Sequence, residues 1–467
     1  MKLFSEDKNY KLYQGSMLDM LEVIEHNSID SIVTDPPYEL NFMNKGWDNS
    51  GIAFQSDTWQ KCYEVLKPGG YLLAFGGSRT FHRIACAIED AGFEIRDTIM
   101  WIYGSGFPKS MALDKSLEAK LTTGSGNKKD FYKCNGTLEE SKGKGYTSMK
   151  QTNVEQDFRN INYESKGQLQ LEATTDLAKQ YKGWGTALKP SFEPIIVARK
   201  TFKGSLVDNI IENGVGGINI DECRVGNEII TQLQKDMTTY HGNKLGAGHS
   251  THMTGVKTQT IGRFPANTIL TYDETDFDEV CGGFPNTNGG KRHNSHISLG
   301  NNISYGFEKG KNIIRNEFSD SGSASRYFYC AKASKKDRDE GLDEFEDIIL
   351  DIGDERPSGG SWERRTGIKP LPRKNIHPTV KPTTLMQYLV RLVTPNGGTV
   401  LDPFNGSGST GKAVMYENKE KNKNYKYIGI ELTEEYLPIA QARIEYVCNL
   451  KEEKNNQPTI FDYIEKK

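Results

Sequence analysis

An α/β fold built on a doubly wound, mixed, Rossmann-like sheet is what the 467-residue sequence predicts. Three observations predict it. Short β-branched or apolar runs alternate with segments of helical periodicity near both ends of the chain, the pattern of a sheet covered by helices on both faces. Two of these runs stop at acidic residues, Asp35 and Glu431. Carboxylates therefore stand at the carboxyl ends of strands, where open α/β sheets hold their ligands. Between the two regular regions lies a long polar stretch with little periodicity, which reads as insertions into one sheet.

Taken in order, residues 10–14 are a short predicted strand. Residues 29–34 (Ile-Asp-Ser-Ile-Val-Thr) are a β-branched strand that runs into Asp35. Lys67-Pro68-Gly69-Gly70 is a turn signal ahead of an apolar strand at 71–75. Residues 81–91 read as a helix stopped by Gly92, and 95–103 as a strand. Regularity then fades, and a strand returns at 192–198 (Phe-Glu-Pro-Ile-Ile-Val-Ala). A second irregular stretch runs from 201 to 376, with Gly and Asn clusters. From His377 the pattern resumes: helix 385–393, strand 399–402, helix 409–416, strand 427–431 and helix 434–448. The expected division is a core in two parts, 1–111 and 377–450, with 184–200 as a further core strand. Residues 112–183 and 201–376 are expected as insertions, and 451–467 as a flexible tail. No internal repeat is present.

The composition is that of a globular protein, with 36% hydrophobic and 26% charged residues. Its mean hydropathy of −0.64 predicts much surface and loop. No run approaches the roughly 18 apolar residues of a membrane span, and Met1-Lys2-Leu3-Phe4-Ser5-Glu6-Asp7 lacks the apolar stretch of a signal peptide. The seven Cys contain no CxxC pair, which argues against a zinc ribbon or a disulfide framework and fits a reducing cytoplasm. No metal site is expected. A net charge of −3 leaves room for a local basic face.

Two motifs carry the chemistry. The first is Asp35-Pro36-Pro37-Tyr38. Two prolines after a buried strand forbid a helix and cannot join a sheet ladder, so the chain leaves the sheet stiffly. The second is Asp402-Pro403-Phe404-Asn405-Gly406-Ser407-Gly408-Ser409-Thr410-Gly411. A strand, a glycine-rich turn and a helix let backbone approach a nucleoside cofactor closely. A rival reading exists here: residues 406–412 match the first seven places of the nucleotide-phosphate loop G-x-x-x-x-G-K-[ST]. The eighth place is Ala413, which lacks the hydroxyl that ligates Mg²⁺, so a P-loop NTPase is disfavoured.

The two motifs, in this order, resemble the amino-directed DNA methyltransferases that use S-adenosylmethionine, in the permuted arrangement where the catalytic motif comes first. The resemblance covers about 8–110, 184–200 and 377–446. Weaker matches at 262–267 (Gly-Arg-Phe-Pro-Ala-Asn) and 325–329 (Ser-Arg-Tyr-Phe-Tyr) resemble phage and mobile-element members. The resemblance implies the S-adenosylmethionine-dependent methyltransferase fold with inserted recognition regions. It implies methylation of adenine N6 on a base flipped out of double-stranded DNA, with cytosine N4 as the alternative. Family members of the latter type more often carry Ser at the place of Asp35.

An aromatic amine resists methylation because its lone pair is delocalised into the ring. The Asp35 carboxylate and the Pro36 carbonyl can accept its two N–H hydrogens and favour a pyramidal nitrogen. Pro37 stiffens the exit, and Tyr38 can stack on the extruded base. Residues Asp402, Pro403, Phe404, Asn405, Gly406, Ser407, Gly408 and Thr410 are expected along the cofactor's methionine and ribose, and Glu431 at its ribose hydroxyls. In His377-Pro378-Thr379-Val380-Lys381-Pro382 the resemblance implies a segment that closes over the methionine end, with Thr379 as a donor and Lys381 as the partner of the methionine carboxylate. The family's usual Gly-Asp near the adenine reads here Gly15-Ser16-Met17-Leu18-Asp19. Ser16 takes the Asp place, and Asp19 is a substitute for it. None of the Cys follows Pro, which excludes the thiolate mechanism of cytosine C5 methylation.

The first insertion is basic, with Lys128, Lys129, Lys142, Lys144 and Lys182 as expected phosphate contacts. The acidic run 337–354 is expected to face solvent. In the tail, Gln457-Pro458-Thr459-Ile460-Phe461 resembles the short peptides that bind the bacterial sliding clamp. Such a tether would bring methylation to new DNA behind the replication fork. The same set of expectations includes a homodimer and a cytoplasmic location.

Overall fold

The computed structural model describes residues 2–40, 48, 50–103, 110–124, 173–233, 257–271, 286–287, 322–323, 328–331, 335–348 and 373–450. It divides the chain into two compact units, residues 105–191 and the remainder.

The larger unit is organised around one sheet. Its strands are β1 (Lys2–Asp7), β2 (Tyr10–Gln14), β3 (Ile29–Thr34), β4 (Leu66–Phe75), β5 (Phe93–Tyr103), β6 (Phe192–Lys200), β9 (Thr268–Thr271), β12 (Tyr329–Cys330), β13 (Thr399–Asp402) and β14 (Lys426–Glu431). The order is β1-β2-β14-β13-β3-β4-β6-β5-β9-β12. The run from β2 through β14, β13 and β3 to β4 is parallel throughout. Strand β6 is antiparallel to both of its neighbours, so the sheet is mixed, as expected. A separate hairpin pairs β7 (Val225–Leu233) with β8 (Lys257–Arg263), and β10 (Asn286–Thr287) pairs with β11 (Gly322–Ser323).

Both faces of the sheet are covered, which is why its central strands are apolar at consecutive positions rather than alternately. Val33, Leu73 and Val400 point into one core with the helices Thr383–Val393, Ser409–Lys421 and Leu437–Asn449. Their neighbours Ile32, Leu72 and Leu401 point into the opposite core with Met17–Leu21, Ser56–Val65 and Phe81–Asp90. Period-two alternation thus divides two hydrophobic layers. Trp59 anchors the second layer. It is fully buried, and its indole N–H donates to the Ala53 carbonyl at 2.9 Å, so truncation to Ala costs about 3–5 kcal/mol.

Three expectations change. Lys67-Pro68-Gly69-Gly70 is not a turn ahead of a strand but an irregular part of β4. The pairing jumps from Ile29–Leu66 to Ser31–Tyr71, and the extra residues bulge, with Gly69 at φ +82°. The predicted helix 434–448 is a 3₁₀ turn, Glu434–Tyr436, followed by the α-helix Leu437–Asn449 with Pro438 in its first turn. The stretch 201–376 is not wholly outside the sheet, because β9 and β12 extend it beyond β5. These strands are too short to show periodicity in the sequence.

In the smaller unit, the helices Leu113–Thr123 and Asp176–Gln180 are tied together at Glu118. Burial pushes its carboxyl up, but hydrogen bonds from Thr174 and Thr175 outweigh this and hold it at about 2. Lys182 belongs to this unit, whereas Lys128, Lys129, Lys142 and Lys144 lie outside the described residues, as does the tail 451–467.

Candidate active site

The chain leaves β3 for β4 on one side and β13 for β14 on the other, while β3 and β13 are themselves neighbours. That makes the gap outside their carboxyl ends the topological switch point, where open α/β sheets bind ligands. Asp35 follows β3, Asp402 ends β13 and Glu431 ends β14. Gly15 and Ser16 follow β2, and the Gly15 N–H donates to the Glu431 carbonyl at 3.0 Å. Segments from opposite ends of the sequence therefore meet along one sheet edge.

The glycine-rich loop is braced from below. Asp402 is buried. One of its oxygens accepts from the Thr34 hydroxyl at 2.6 Å and the Phe404 N–H at 3.1 Å, and the other from the Thr410 hydroxyl at 2.6 Å. Burial pushes its carboxyl up to about 6 despite those bonds. The Glu431 carboxylate accepts from the Gly406 and Thr433 N–H groups, both at 2.7 Å, and burial raises its pKa. Asn405 Oδ1 accepts from the Tyr427 hydroxyl at 2.7 Å. Arg443, fully buried, donates to the Ser407 carbonyl at 2.8 Å and to its hydroxyl at 3.0 Å. Gly406 (φ +50°) and Gly408 (φ +73°) are obligatory. A Cβ on the first would lie 2.9 Å from His377 Nε2, and on the second 2.9 Å from Ala440 Cα. Pro403 is buried, while Phe404 is half-buried, its ring 6.4 Å from Trp59.

Above the loop sits an ionic cluster. Lys381 Nζ donates to Asp35 Oδ2 at 2.5 Å and lies 3.5 Å from Glu193 Oε2. The Tyr38 hydroxyl donates to Glu193 Oε2 at 2.7 Å and the Tyr103 hydroxyl to Oε1 at 3.2 Å. The Lys381 ammonium also faces the Tyr38 and Phe75 rings, 5.3 and 5.0 Å from their centroids. Burial pushes the Asp35 carboxyl up, and Lys381 pulls it back. For Lys381 burial favours loss of the proton, but the two carboxylates outweigh it and raise its pKa. Asp35 Oδ1 is buried with no hydrogen-bond partner among the described residues. This unpaired acceptor is costly unless something comes to fill it.

The His377 ring lies against the glycine loop and edge-on to Tyr436, with centroids 4.6 Å apart. Burial and the nearby Lys381 charge push it down to about 3, so it is neutral at physiological pH.

Most of the residues singled out in the sequence meet here, with differences. Lys381, expected to face a methionine carboxylate, is engaged by Asp35 and Glu193. Asp402 has both oxygens committed to the loop. Ser16 caps the helix Met17–Leu21, its hydroxyl accepting from the Leu18 N–H at 3.3 Å, and Asp19 is exposed on that helix. Thr379 is exposed. Asp337, expected to face solvent, instead accepts from Lys412 at 2.7 Å and from the Thr383 N–H at 2.7 Å. Lys412 is fully buried between two carboxylates, Asp337 at 2.7 Å and Glu340 at 2.8 Å. The residue that a phosphate loop would offer to its nucleotide is thus spent inside the fold.

Sequence reasoning missed Glu193, Tyr103, Asp337 and Arg443. For Glu193 the signal was present, since an acidic residue stands second in the otherwise apolar run 192–198. Asp337 carried no such mark, being one acid in a run of them.

The strand-end carboxylates and the glycine-rich loop stand at the switch point of an α/β sheet, and sequence comparison gives the family. A sequence model described as DNA methylase, of the N6/N4 type, matches residues 29–442. The chain belongs to the N6/N4 DNA methylase family.

Among individual relatives, the type II methyltransferase M.HpaI of Haemophilus parainfluenzae is 33% identical over 106 residues, 21% of this chain and 34% of that protein. The putative methylase YubD of Escherichia coli K12 is 44% identical over 71 residues, 15% of this chain and 29% of that protein. The type II methyltransferase M2.LlaDCHI of Lactococcus lactis subsp. cremoris is 24% identical over 241 residues, 46% of this chain and 82% of that protein. The chain thus spans about a third of M.HpaI's length. Among solved structures, the PvuII cytosine-N4-specific DNA methyltransferase aligns over 95% of this chain and 91% of its own, with a TM-score of 0.38 and 12% identity. The M1.HpyAVI–SAM complex aligns over 93% and 99%, with a TM-score of 0.34 and 13% identity.

Proposed function

We propose that the chain transfers a methyl group from S-adenosylmethionine to the N6 amino group of adenine in double-stranded DNA. One observation carries this reading. At the switch point stands a carboxylate, Asp35, with one oxygen held by Lys381 and the other buried and unpaired among the described residues. A buried acceptor of this kind suits an amino N–H delivered by an extruded base.

The residues present fit the cofactor. Gly406 and Gly408 turn the loop at positive φ into a backbone cradle packed so closely on His377 and Ala440 that no side chain fits at either place. Phe404, Asn405, Ser407 and Thr410 belong to that cradle, with Pro403 stiffening its entry. Glu431 would take the ribose hydroxyls with lone pairs left over from its two backbone bonds. Ser16, beside Glu431 at the end of β2, would lie towards the adenine with Asp19, and Thr379 towards the methionine end. When bound, the cofactor supplies an electrophilic methyl on a sulfonium.

The chain's own residues do the rest. Asp35 Oδ1 and the Pro36 carbonyl accept the two amino hydrogens, which draws the nitrogen lone pair out of the ring's conjugation. Tyr38, its hydroxyl fixed on Glu193, presents a ring for the base to stack on. Lys381 stabilises the charged form of Asp35 against burial. Asp35 then takes the proton that the nitrogen releases once its lone pair has formed the bond to carbon. We further propose that residues 457–461 engage the sliding clamp, which a binding assay of peptide 451–467 against purified clamp tests.

The decisive experiment incubates duplex DNA with the chain and the cofactor, digests the DNA to nucleosides and identifies them by mass spectrometry. N6-methyldeoxyadenosine is expected. N4-methyldeoxycytidine alone would move the substrate to cytosine, and 5-methyldeoxycytidine would contradict the mechanism.

A further inference from the structure

We infer that Glu193 is a positioning residue whose negative charge makes the site favour the cationic sulfonium cofactor over its neutral thioether product. The inference rests on the function proposed above and concerns a residue outside both sequence motifs.

Glu193 is the second residue of β6 and pairs across the sheet with Trp101 of β5. Tyr103, two residues further on β5, lies on the same face and reaches Glu193 Oε1. Glu193 Oε2 is shared between the Tyr38 hydroxyl and the Lys381 ammonium. Lys381 in turn holds Asp35. Two carboxylates and one ammonium leave one negative charge in excess. Side-chain exposures of 7% for Lys381, 19% for Asp35 and 21% for Glu193 keep that charge poorly screened. The other titratable groups named here bring no positive charge to offset it. The Tyr38 and Tyr103 phenols stay neutral because burial and the carboxylates raise them, and His377 is neutral. Asp402 is pushed up to about 6 by burial, so at neutral pH it is largely ionised and adds to the negative side of the balance.

Without Glu193, the Lys381 charge would cancel that of Asp35 and the pair would be neutral. With it, an unpaired negative charge stands beside the place where Asp35 must hold the amino group. During transfer the positive charge passes from sulfur to the amino nitrogen and leaves with the proton. Both cationic positions must lie within reach of Asp35, because the methyl moves directly between them. A net negative cluster therefore attracts the charged cofactor and stabilises the charge in transit. It releases the product, which carries no charge at sulfur.

The test uses the full chain and calorimetry without DNA, so that no turnover occurs. S-adenosylmethionine and S-adenosylhomocysteine are titrated into wild type, Glu193→Gln and Glu193→Asp. In Glu193→Gln the preference for the sulfonium over the thioether should fall on the order of tenfold, while Glu193→Asp, which keeps the charge, should retain it. An equal loss for both ligands in Glu193→Gln, or an unchanged ratio, overturns the inference, because a purely structural role would weaken both alike. Should the Gln variant fail to fold, the wild type still decides. Sinefungin, which carries an ammonium group in place of the sulfonium, should bind more tightly than S-adenosylhomocysteine, and weaker binding overturns the inference. Wild-type protein that binds none of these ligands would instead overturn the function on which the inference rests.

Discussion

Two carboxylates near the switch point sit in different surroundings and should behave differently. Asp35 has a cation on one oxygen and an open buried acceptor on the other. Asn at this place keeps the shape but loses the charge that pairs with Lys381 and that, in the proposed reaction, takes up the proton. Asp35→Asn should lower turnover on the order of 10³-fold, with DNA affinity in a gel-shift assay nearly unchanged; turnover near wild type would remove Asp35 from the chemistry. Among the described residues Asp402 is met by hydroxyl and backbone donors rather than by a cation. Its folded pKa of about 6 lies above the unfolded value of about 3.9. The folded state therefore binds the proton more tightly. The stability this contributes is fully present below the unfolded pKa and is lost as pH rises through 6. Asp402→Asn, which can donate to Thr410 Oγ1, should remove that dependence. Denaturant titrations at pH 4 and pH 7 should show wild type losing up to about 3 kcal/mol more than the variant across this window. Parallel losses would show that Asp402 is not perturbed.

The glycine loop shows at the level of an element how backbone geometry dictates residue type. Gly408 sits at φ +73° with Ala440 directly beneath it, whereas Gly397 has a similar φ of +77° and open space around it. Both positions charge a side chain for left-handed backbone, but only Gly408 adds a collision. Gly408→Ala should therefore destabilise by about 2–4 kcal/mol and Gly397→Ala by about 1 kcal/mol, read as a difference in denaturation midpoints. Equal shifts would mean that the loop does not need its close approach to the helix Leu437–Asn449. The same helix supplies Arg443, which grips Ser407 from beneath, and the Asp337 segment ties that grip to Lys412 and to the start of the helix Thr383–Val393. The loop is held by three elements that are far apart in sequence.

At the scale of the whole molecule, the proposed binding to a polyanion must coexist with a net charge of −3. Overall repulsion means that any affinity for DNA comes from local lysines and arginines that displace counterions. DNA affinity should then fall steeply with salt, on the order of a hundredfold between 50 and 200 mM if about four phosphates are contacted. Fluorescence anisotropy with a labelled duplex measures the slope, and affinity independent of salt would exclude duplex DNA as the substrate.

The sequence alone determined the fold class and the residues that stand at the strand ends, because both are local properties. The runs at 29–34, 399–402 and 427–431 are apolar over consecutive positions, and Pro36, Pro37, Gly406 and Gly408 stop or bend the chain whatever surrounds them. Strand β4 shows the limit of such reasoning: Pro68-Gly69-Gly70 has the chemistry of a turn, yet pairing with β3 absorbs it as a bulge. Only the tertiary structure decided which charges meet. Asp35, Glu193 and Lys381 come from three distant segments, and nothing local to any of them names its partners. The same holds for Asp337, whose acidic neighbours suggested solvent until Lys412 and Arg443, both fully buried, required a counter-charge. Burial creates that demand, and burial is a property of the assembled sheet and helices, since taking a cation out of water is tolerable only where the fold brings a carboxylate to meet it.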